Sequence, residues 1–242
     1  MQRFSCGTTA AKAFHARSRY LAGSRLFTIG HSNHETARLT ELLRAAGVTA
    51  VADVRSQPFS QRYTQFNRPE LQRSLADVDI VYAFLGRELG GRPSDSSLYD
   101  PEGRVNYERV RQTRAFREGI ERLRHAVEDF TVALLCSEED PLVCHRGLMI
   151  APALVEEGIL PNHLRGDGTT ETTAQFEDRL LAETKIGLGI VDGLFADVVS
   201  EEERRNILVE AYRAQARRKS FRLRADSSAD SFSQPLSQDD AE

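Results

Sequence analysis

The chain of 242 residues lacks the apolar stretch that a membrane-spanning helix requires, and it contains three cysteines. Apolar runs such as Val132 to Cys136 have the length of a strand, whereas a membrane helix needs about 20 apolar residues. Three cysteines are too few, and odd in number, for a disulfide scaffold. We therefore expect a reducing, cytoplasmic compartment and no membrane partner.

Several motifs of common enzyme classes are also missing. The chain has no G-x-G-x-x-G and no G-x-x-x-x-G-K-[ST], so dinucleotide binding and P-loop nucleotide binding lose support. It has no G-x-S-x-G nucleophile elbow and no H-E-x-x-H zinc motif. A net charge of −4 gives no indication of a polyanionic partner. We predict no cofactor, and hydrolysis or group transfer rather than redox chemistry.

What is present is a globular composition with charge concentrated at the two ends. Residues 1–24 contain basic side chains and no acid, whereas residues 225–242 are rich in Ser and Asp and contain no base. We predict that 1–24 is a disordered or leader segment, although its composition also matches an organelle transit peptide. We predict that 225–242 is a disordered acidic tail, since it lacks the apolar side chains that offset the entropy of ordering.

Between the ends, apolar strands alternate with helical patterns. Strands are predicted at Arg25–Gly30, Val48–Val54, Asp79–Leu85, Phe130–Cys136 and Leu160–Leu164, and helices at Glu35–Ala46, within Tyr107–Glu128 and at Leu142–Glu157. Apolar strands separated by helices are typical of a parallel sheet covered on both faces. The predicted fold is α/β, a Rossmann-like parallel sheet of about five strands with helices on both faces. This domain spans 25–165, and a C-terminal helical extension at 166–224 packs on it.

Polar and glycine residues collect where the predicted strands end. Ligands of open parallel sheets bind outside the carboxyl ends of the strands. The residues that follow these ends, or open the helix after the fourth strand, are His31, Ser32, Asp53, Arg55, Gly90, Gly91, Arg92, Cys136, Glu138, Cys144, His145 and Arg146. We expect them to converge on one crevice.

Each of these residue types suits a particular task. Asp53, Glu138 and His145 are candidates for acid/base catalysis, because partial desolvation brings a carboxyl pKa toward neutral pH. His31 is a further catalytic candidate, and Cys144 is the candidate nucleophile, since a helix N-terminus and a neighbouring arginine stabilise a thiolate. The predicted ligand-binding residues are Ser32, Arg55, Gly90, Gly91, Arg92, Cys136 and Arg146. Arg55 and Arg146 would hold an anion, together with amides of the helix that follows Pro141.

Structural interpretations of the same residues stay open. Cys136 ends an apolar strand, so it is equally a small buried apolar residue, and Cys144 is another packing candidate. His145 also fits a cap, and Arg146 also fits an ion pair with an acid of the preceding loop. A metal interpretation takes the two cysteines and His145 as zinc ligands, joined by His31 or His163, although the C-x7-C-H spacing differs from that of zinc knuckles.

Two basic segments leave a nucleic-acid interpretation open. Residues 55–73 contain four arginines and one acid, with Phe59, Tyr63 and Phe66 between them. Such a loop can hold phosphates and stack bases, or it can be a solvated loop above its own aromatic side chains. Residues 204–224 form a second basic segment, which is typical of a solvated helix face.

Five motifs in this order resemble those of the DUF488 family. They are T-I-G-H-S at 28–32, D-V-R-x-x-P at 53–58, Q-F-N at 65–67, L-G-G-R at 89–92 and C-x-E-x-x-P-x-x-C-H-R at 136–146. The resemblance runs from about Leu26 to Leu164 and implies an intracellular α/β protein, but no settled activity. The family's signature residues fall on His31, Asp53, Arg55, Cys136, Glu138, Cys144, His145 and Arg146.

The sequence therefore predicts an enzyme, a hydrolase or group transferase, that acts on a small anionic ligand bearing a phosphate or a nucleotide. One alternative is a non-catalytic module that binds nucleic acid or a regulatory ligand. The other is a structural Cys/His metal site.

Overall fold

The computed structural model describes residues 25–187 and 200–223. The predicted leader (1–24) and acidic tail (225–242) lie outside the described residues, as does Arg224 of the second basic segment.

Six strands form one sheet. They are β1 (Leu26–Gly30), β2 (Ala50–Asp53), β3 (Val81–Phe84), β4 (Val132–Cys136), β5 (Asn162–Leu164) and β6 (Thr170–Glu171). The spatial order is β3-β2-β4-β1-β5-β6; the pairs among β1 to β5 are parallel, and β6 pairs antiparallel with β5. The predicted α/β class and parallel sheet are confirmed, with β6 as an additional edge strand. The insertion of β4 between β1 and β2 decides the position of the site described below.

Helices cover both faces of the sheet. They are α1 (Thr36–Ala45), α2 (Arg68–Ala76), α3 (Gly86–Leu89), α4 (Tyr107–Gln112), α5 (Arg114–Asp129), α6 (Ala151–Glu156), α7 (Thr173–Thr184) and α8 (Glu201–Lys219). Successive strand residues point to opposite faces, so Leu134 packs in the core with α5 and α6, whereas Leu135 packs in the core with α1 and α2. Neither face of β4 is left to solvent, which explains its continuous apolar sequence.

The predicted helix within Tyr107–Glu128 is in fact two helices. Thr113 has extended backbone angles (φ −69°, ψ 152°), and its hydroxyl accepts a hydrogen bond from the amide of Phe116. Thr113 thus ends α4 and caps the N-terminus of α5. The apolar spacing continues across this break, which is why periodicity alone predicted one helix.

The predicted helix Leu142–Glu157 is wrong in its first half. Pro141–Val143 is a single 3-10 turn, Cys144 is extended, Arg146–Ile150 is a π-helical segment and α6 begins only at Ala151. The amides of Leu142, Val143 and Cys144 donate to Asp140 and to Pro141 within this turn. They are therefore not available to an anion, and this correction removes one of the predicted anion contacts.

Helix α8 reaches back to the end of β4. The side-chain amide of Gln215 donates to the carbonyl of Leu142 (3.0 Å), and the amide of Val105 donates to the carbonyl of Phe221 (2.9 Å). Lys219 and Phe221 are thereby brought next to the strand ends. None of the described helices is long and apolar enough to cross a membrane.

The buried imidazole of His163 predicts a pH-dependent stability. Its Nδ1 lies 2.8 Å from Thr28 Oγ1, its ring packs on Phe176, and burial, with the charge of Arg146, lowers its pKa to about 3. In the unfolded chain His163 binds a proton at about pH 6.5, whereas in the folded chain it stays neutral down to about pH 3. The contribution of His163 to the free energy of unfolding is therefore fully present above about pH 6.5. It falls as the pH is lowered toward 3, by up to about 1.4 kcal/mol per pH unit.

Denaturant unfolding between about pH 4.5 and 7 measures this dependence. The loss of stability on acidification is expected to be shallower in His163→Gln than in wild type. His125→Gln, at an exposed histidine, is the matched control and is expected to keep the wild-type slope. Equal slopes in the two variants would contradict this role for His163.

Candidate functional site

The ends of three adjacent strands bring the predicted site residues together. Gly30 at the end of β1 pairs with Cys136 at the end of β4, and Asp53 at the end of β2 pairs with Leu135. The amides beyond the strands continue this register, since His31 donates to the carbonyl of Cys136 (2.9 Å). Because β4 lies between β1 and β2, the segments that follow all three strands meet at one edge.

A cavity of about 820 Å³ opens at this edge. The predicted residues that line it are His31, Ser32, Arg55, Gly91, Arg92, Cys136, Glu138, Cys144 and His145. Asp53, Gly90 and Arg146 do not line it. A larger groove of about 1010 Å³ runs along α5 and α6, but arginines, glutamates and apolar side chains line it, with no cysteine or histidine. The cavity at the strand ends is therefore the candidate site.

Asp53 fixes Arg55 in one orientation. The Arg55 guanidinium donates from Nε to Asp53 Oδ1 (2.9 Å) and from NH2 to Oδ2 (2.6 Å), and the hydroxyl of Tyr82 donates to the same carboxylate. Asp53 is fully buried and its oxygens are occupied. Asp53, which was predicted as an acid/base residue, thus orients Arg55. The NH1 of Arg55 lies 3.3 Å from Nε2 of His31.

His31 is held as a neutral imidazole. Its Nδ1 lies 2.9 Å from the carbonyl of Ser32, its Nε2 faces Arg55, and its ring stacks on Phe66 at 4.3 Å. Burial, with the charge of Arg55, lowers the pKa of His31 to about 4. Both ring nitrogens are engaged, so the arrangement favours a positioning role for His31 over proton transfer.

The imidazole of His145 faces two sulfur atoms. Its Nε2 lies 3.0 Å from the carbonyl of Val54, so Nε2 carries the proton and donates it. Nδ1 faces Cys136 Sγ at 3.6 Å and Cys144 Sγ at 3.9 Å. Burial alone would lower the pKa of His145, but the contact with Cys144 and the charge of Glu138 raise it. All three side chains are buried at the floor of the cavity.

The two thiols differ in acidity although they lie side by side. Burial alone would raise the pKa of Cys144, but the adjacent side chain of Cys136 and the charge of Arg146 hold it well below its ordinary value. Burial and the neighbouring sulfur raise the pKa of Cys136. Of the two sulfur atoms, that of Cys144 is therefore the one that its surroundings favour as a thiolate.

Glu138 completes this cluster. The thiol of Cys136 donates to Glu138 Oε2 (3.1 Å), and burial, with the charge of Cys144, raises the pKa of the carboxyl. The loop that carries Glu138 crosses directly over Gly30. A Cβ at Gly30 would lie 1.7 Å from the carbonyl oxygen of Glu138, so only glycine permits this crossing.

Arg146 lies beneath the cavity and not in it. Its side chain is fully buried, and its NH1 and NH2 donate to the carbonyls of Glu138 and Glu139, each at 2.6 Å. Nε faces Thr28 Oγ1 at 3.3 Å. The structure gives Arg146 a structural role in place of the predicted anion-binding role, because its guanidinium donates to carbonyls of the loop that carries Glu138.

Gly91 gives His145 its space. A Cβ at Gly91 would lie 2.8 Å from His145 Cγ, closer than side-chain carbons approach. Gly91→Ala is therefore expected to displace the ring from the carbonyl of Val54 and to cost about 1–3 kcal/mol of stability. Gly90, which follows α3 as its C-cap, does not line the cavity; a Cβ there would lie 2.3 Å from the carbonyl oxygen of Gly86.

Proton NMR tests the expected displacement of the His145 ring in Gly91→Ala through the signal of its hydrogen-bonded Nε2–H. Its slowly exchanging imidazole signal is expected in wild type and lost in Gly91→Ala. Gly158→Ala is the control, because a Cβ there meets nothing within 4 Å and only the backbone is strained (φ +79°). An unchanged His145 signal in Gly91→Ala would show that the ring does not depend on this glycine.

Cationic and aromatic side chains form the rim. The guanidinium of Arg92 lies 4.6 Å above the ring centre of Phe221, and Lys219 lines the same side of the cavity. Phe59, which is 69% exposed, and Tyr63 also line the cavity. Tyr107 and Phe221 were not predicted, and no local motif marks them; Lys219 belongs to the second basic segment.

Part of the first basic segment is used inside the protein. Arg55 is paired with Asp53 and Phe66 stacks on His31, whereas Arg68 is exposed and lies over the ring of Phe84 at 5.1 Å. Phe59 and Arg62 remain at the surface. Nucleic-acid binding through this segment stays a prediction, although Arg55 and Phe66 already have partners within the protein.

Three residues are close enough to hold a metal ion together. The ligand atoms of Cys136, Cys144 and His145 all lie within 4.8 Å of one another. His31 and His163 do not join this group. The residues that the sequence offered as additional ligands are instead engaged with Arg55 and with Thr28.

Fold and site together define an α/β protein with a Cys/His/Glu cluster at the carboxyl ends of a parallel sheet. Residues 35–151 match the model of a family described as "Domain of unknown function DUF488". Residues 35–151 therefore form a DUF488 domain, which confirms the family resemblance that the motifs predicted. Comparison with curated proteins gave no match, and comparison with solved structures gave none.

Proposed function

We propose that the cavity is the active site of a hydrolase or group transferase whose small substrate carries an anionic group. The observation that carries the proposal is the meeting of a carboxyl, two cysteine sulfurs and an imidazole in one cavity with a cationic rim. Such groups in hydrogen-bond reach of one another are typical of acyl, phosphoryl or glycosyl transfer.

The rim supplies the anion contacts. Within the described residues Arg92 and Lys219 form no ion pair, so their charges are free for a ligand. Arg55 adds one further N–H at depth, although Asp53 balances its charge. A phosphate or carboxylate near Arg92 would place the rest of a small substrate over the cluster. The cavity of about 820 Å³ is large enough for a nucleotide or a sugar phosphate.

Glu138 is the proton donor and acceptor in this proposal. The attacking group is either Cys144 itself, as the sequence predicted, or a water activated at the same cluster. In both routes a bond forms from the attacking atom to the electrophilic centre of the substrate. The bond to the leaving group breaks, and the leaving group takes the proton of the Glu138 carboxyl. In the water route, the Glu138 carboxylate then takes the proton that the attacking water loses. In the Cys144 route, the transferred group stays bound to Sγ until a water or an acceptor hydroxyl attacks it, gives its proton to the Glu138 carboxylate and releases the Cys144 thiolate.

A panel of nucleotides, sugar phosphates and acyl phosphates tests the proposal. Wild type is expected to bind at least one compound by native mass spectrometry and to convert it. The double variant Arg92→Met/Lys219→Met is expected to lose at least tenfold in affinity, since each charged contact contributes about 1.5–3 kcal/mol. Binding that the double variant retains in full, or no binding of any anionic compound, would refute the proposed site.

A further inference from the structure

We propose that Cys136, Cys144 and His145 form a zinc site whose fourth coordination position opens into the cavity beside Glu138. This inference rests on the proposed function, because it names what activates the attacking group. It concerns a site for Zn²⁺ that serves the reaction, whereas a structural site would be closed by four protein ligands.

The separations between ligand atoms fit a tetrahedral ion. Zinc–sulfur bonds of about 2.3 Å and zinc–nitrogen bonds of about 2.0–2.1 Å require sulfur–nitrogen separations of roughly 3.6 Å. The two separations in the structure, from His145 Nδ1 to Cys136 Sγ and to Cys144 Sγ, are 3.6 and 3.9 Å. An ion can therefore be accommodated with side-chain shifts of a few tenths of an ångström.

The imidazole is already oriented as a ligand. Histidines that bind metals commonly donate their other N–H to a carbonyl or carboxylate, which fixes the tautomer and the ring plane. His145 does this through Nε2 to the carbonyl of Val54 (3.0 Å). A histidine that served only as a base for Cys144 would have no need to face Cys136 as well.

The charges also balance. Binding of Zn²⁺ leaves both cysteines as thiolates and His145 neutral, so any thiol protons pass to solvent, no electron moves, and the site becomes formally uncharged. Cys136, Cys144 and His145 are buried, which suits a neutral complex better than a bare ion. Arg146 approaches the cluster from below, where its charge stabilises the thiolates while its N–H groups remain on carbonyls.

The surroundings of the three ligands leave one direction for the fourth coordination position. Val54 lies behind the imidazole and Arg146 lies beneath, whereas Glu138 Oε2 is 3.1 Å from Cys136 Sγ on the cavity side. A ligand entering over Arg92 would meet the ion and the Glu138 carboxyl together. Soft thiolate and imidazole donors in a tetrahedral arrangement favour zinc over magnesium or calcium.

Metal analysis of the full chain, purified without chelators in a thiol reductant, tests the proposal. We expect about one zinc per chain in wild type and in Cys6→Ser, and less than about a tenth of this in Cys136→Ser and Cys144→Ser. Glu138→Gln is expected to keep the metal. Removal of zinc by a chelator should make two additional thiols react rapidly, and Zn²⁺ alone should reverse this.

Cobalt provides a second readout that does not depend on folded cysteine variants. Co²⁺ added to the chelator-treated wild type should give thiolate-to-metal charge-transfer bands and the visible spectrum of a four-coordinate ion. Zinc that Cys6→Ser and Cys144→Ser retain equally, or Co²⁺ that gives no charge-transfer band, would overturn the site.

These outcomes are separate from those of the proposed function. A metal-free wild type that converts a phosphorylated compound and reacts rapidly at Cys144 would overturn the zinc site but keep the enzyme, with Cys144 as direct nucleophile. A zinc-loaded protein that binds no anionic compound would keep the metal site and refute the proposed reaction.

Discussion

Glu138→Gln is expected to lower the turnover of the anionic substrate by about 10²–10⁴-fold, because the amide has no proton to give to the leaving group. The substitution keeps the size of the side chain, and the thiol of Cys136 can still donate to its oxygen. Affinity for the substrate and the unfolding midpoint are therefore expected to change little. Single-turnover kinetics, with the compound found in the metabolite panel, separate binding from the chemical step.

The neighbouring carboxylate is the matched control for Glu138. Glu139 pairs with Arg165 at 2.7 Å and accepts the amide of Gly166, so it faces away from the cluster. Glu139→Gln is expected to retain turnover within a few-fold. Turnover in Glu138→Gln that matches Glu139→Gln would remove Glu138 from the reaction.

Arg146→Met is expected to destabilise the protein by about 3 kcal/mol or more, because it removes a fully buried guanidinium that donates to two backbone carbonyls. The carbonyls are those of Glu138 and Glu139, so the loss also loosens the loop that presents the Glu138 carboxyl. Methionine fills part of the space of the arginine stem, which limits the contribution of a cavity. Urea unfolding measures the effect.

Arg92→Met separates a structural arginine from one at the rim. Arg92 is exposed and stacks on Phe221, so its loss is expected to cost less than about 1 kcal/mol of stability. Arg92→Met should instead weaken anion binding. In Arg146→Met, any effect on anion binding cannot be separated from the loss of stability. Equal stability losses in the two variants would contradict the burial of Arg146 as the source of the effect.

Much of the fold follows from local sequence. The continuous apolar run at Val132–Cys136 predicted a strand covered on both faces, and β4 is such a strand at the centre of the sheet. The break at Thr113 was not predicted, since the apolar spacing of α4 continues into α5. The π-helical segment Arg146–Ile150 has no sequence signal of its own.

The convergence of the site could be predicted, but the roles of single residues could not. Strand-end reasoning placed His31, Arg55 and Glu138 at one edge, and all three line the cavity. It also offered Asp53 and Arg146 as reacting or anion-binding groups. Both are buried, and their partners are backbone carbonyls or another side chain of the site, which only the three-dimensional packing decides.

Distant segments complete the rim in a way that motifs do not indicate. Tyr107 begins α4, and Phe221 follows α8, more than a hundred residues away. They meet because Val105 and Phe221 share a backbone hydrogen bond beside the cavity. The sequence shows an aromatic residue at each position, but no local pattern predicts that Tyr107 and Phe221 line the same cavity.

The structure of the protein with the bound anionic compound tests the central claim most directly. The account predicts the anionic group against Arg92 and Lys219, with the reacting atom next to Glu138 and the two sulfurs. A compound that is converted by the protein yet sits elsewhere, for instance in the groove along α5 and α6, would contradict it. So would a bound compound whose reacting atom faces solvent while the Cys136, Cys144 and His145 side chains remain untouched.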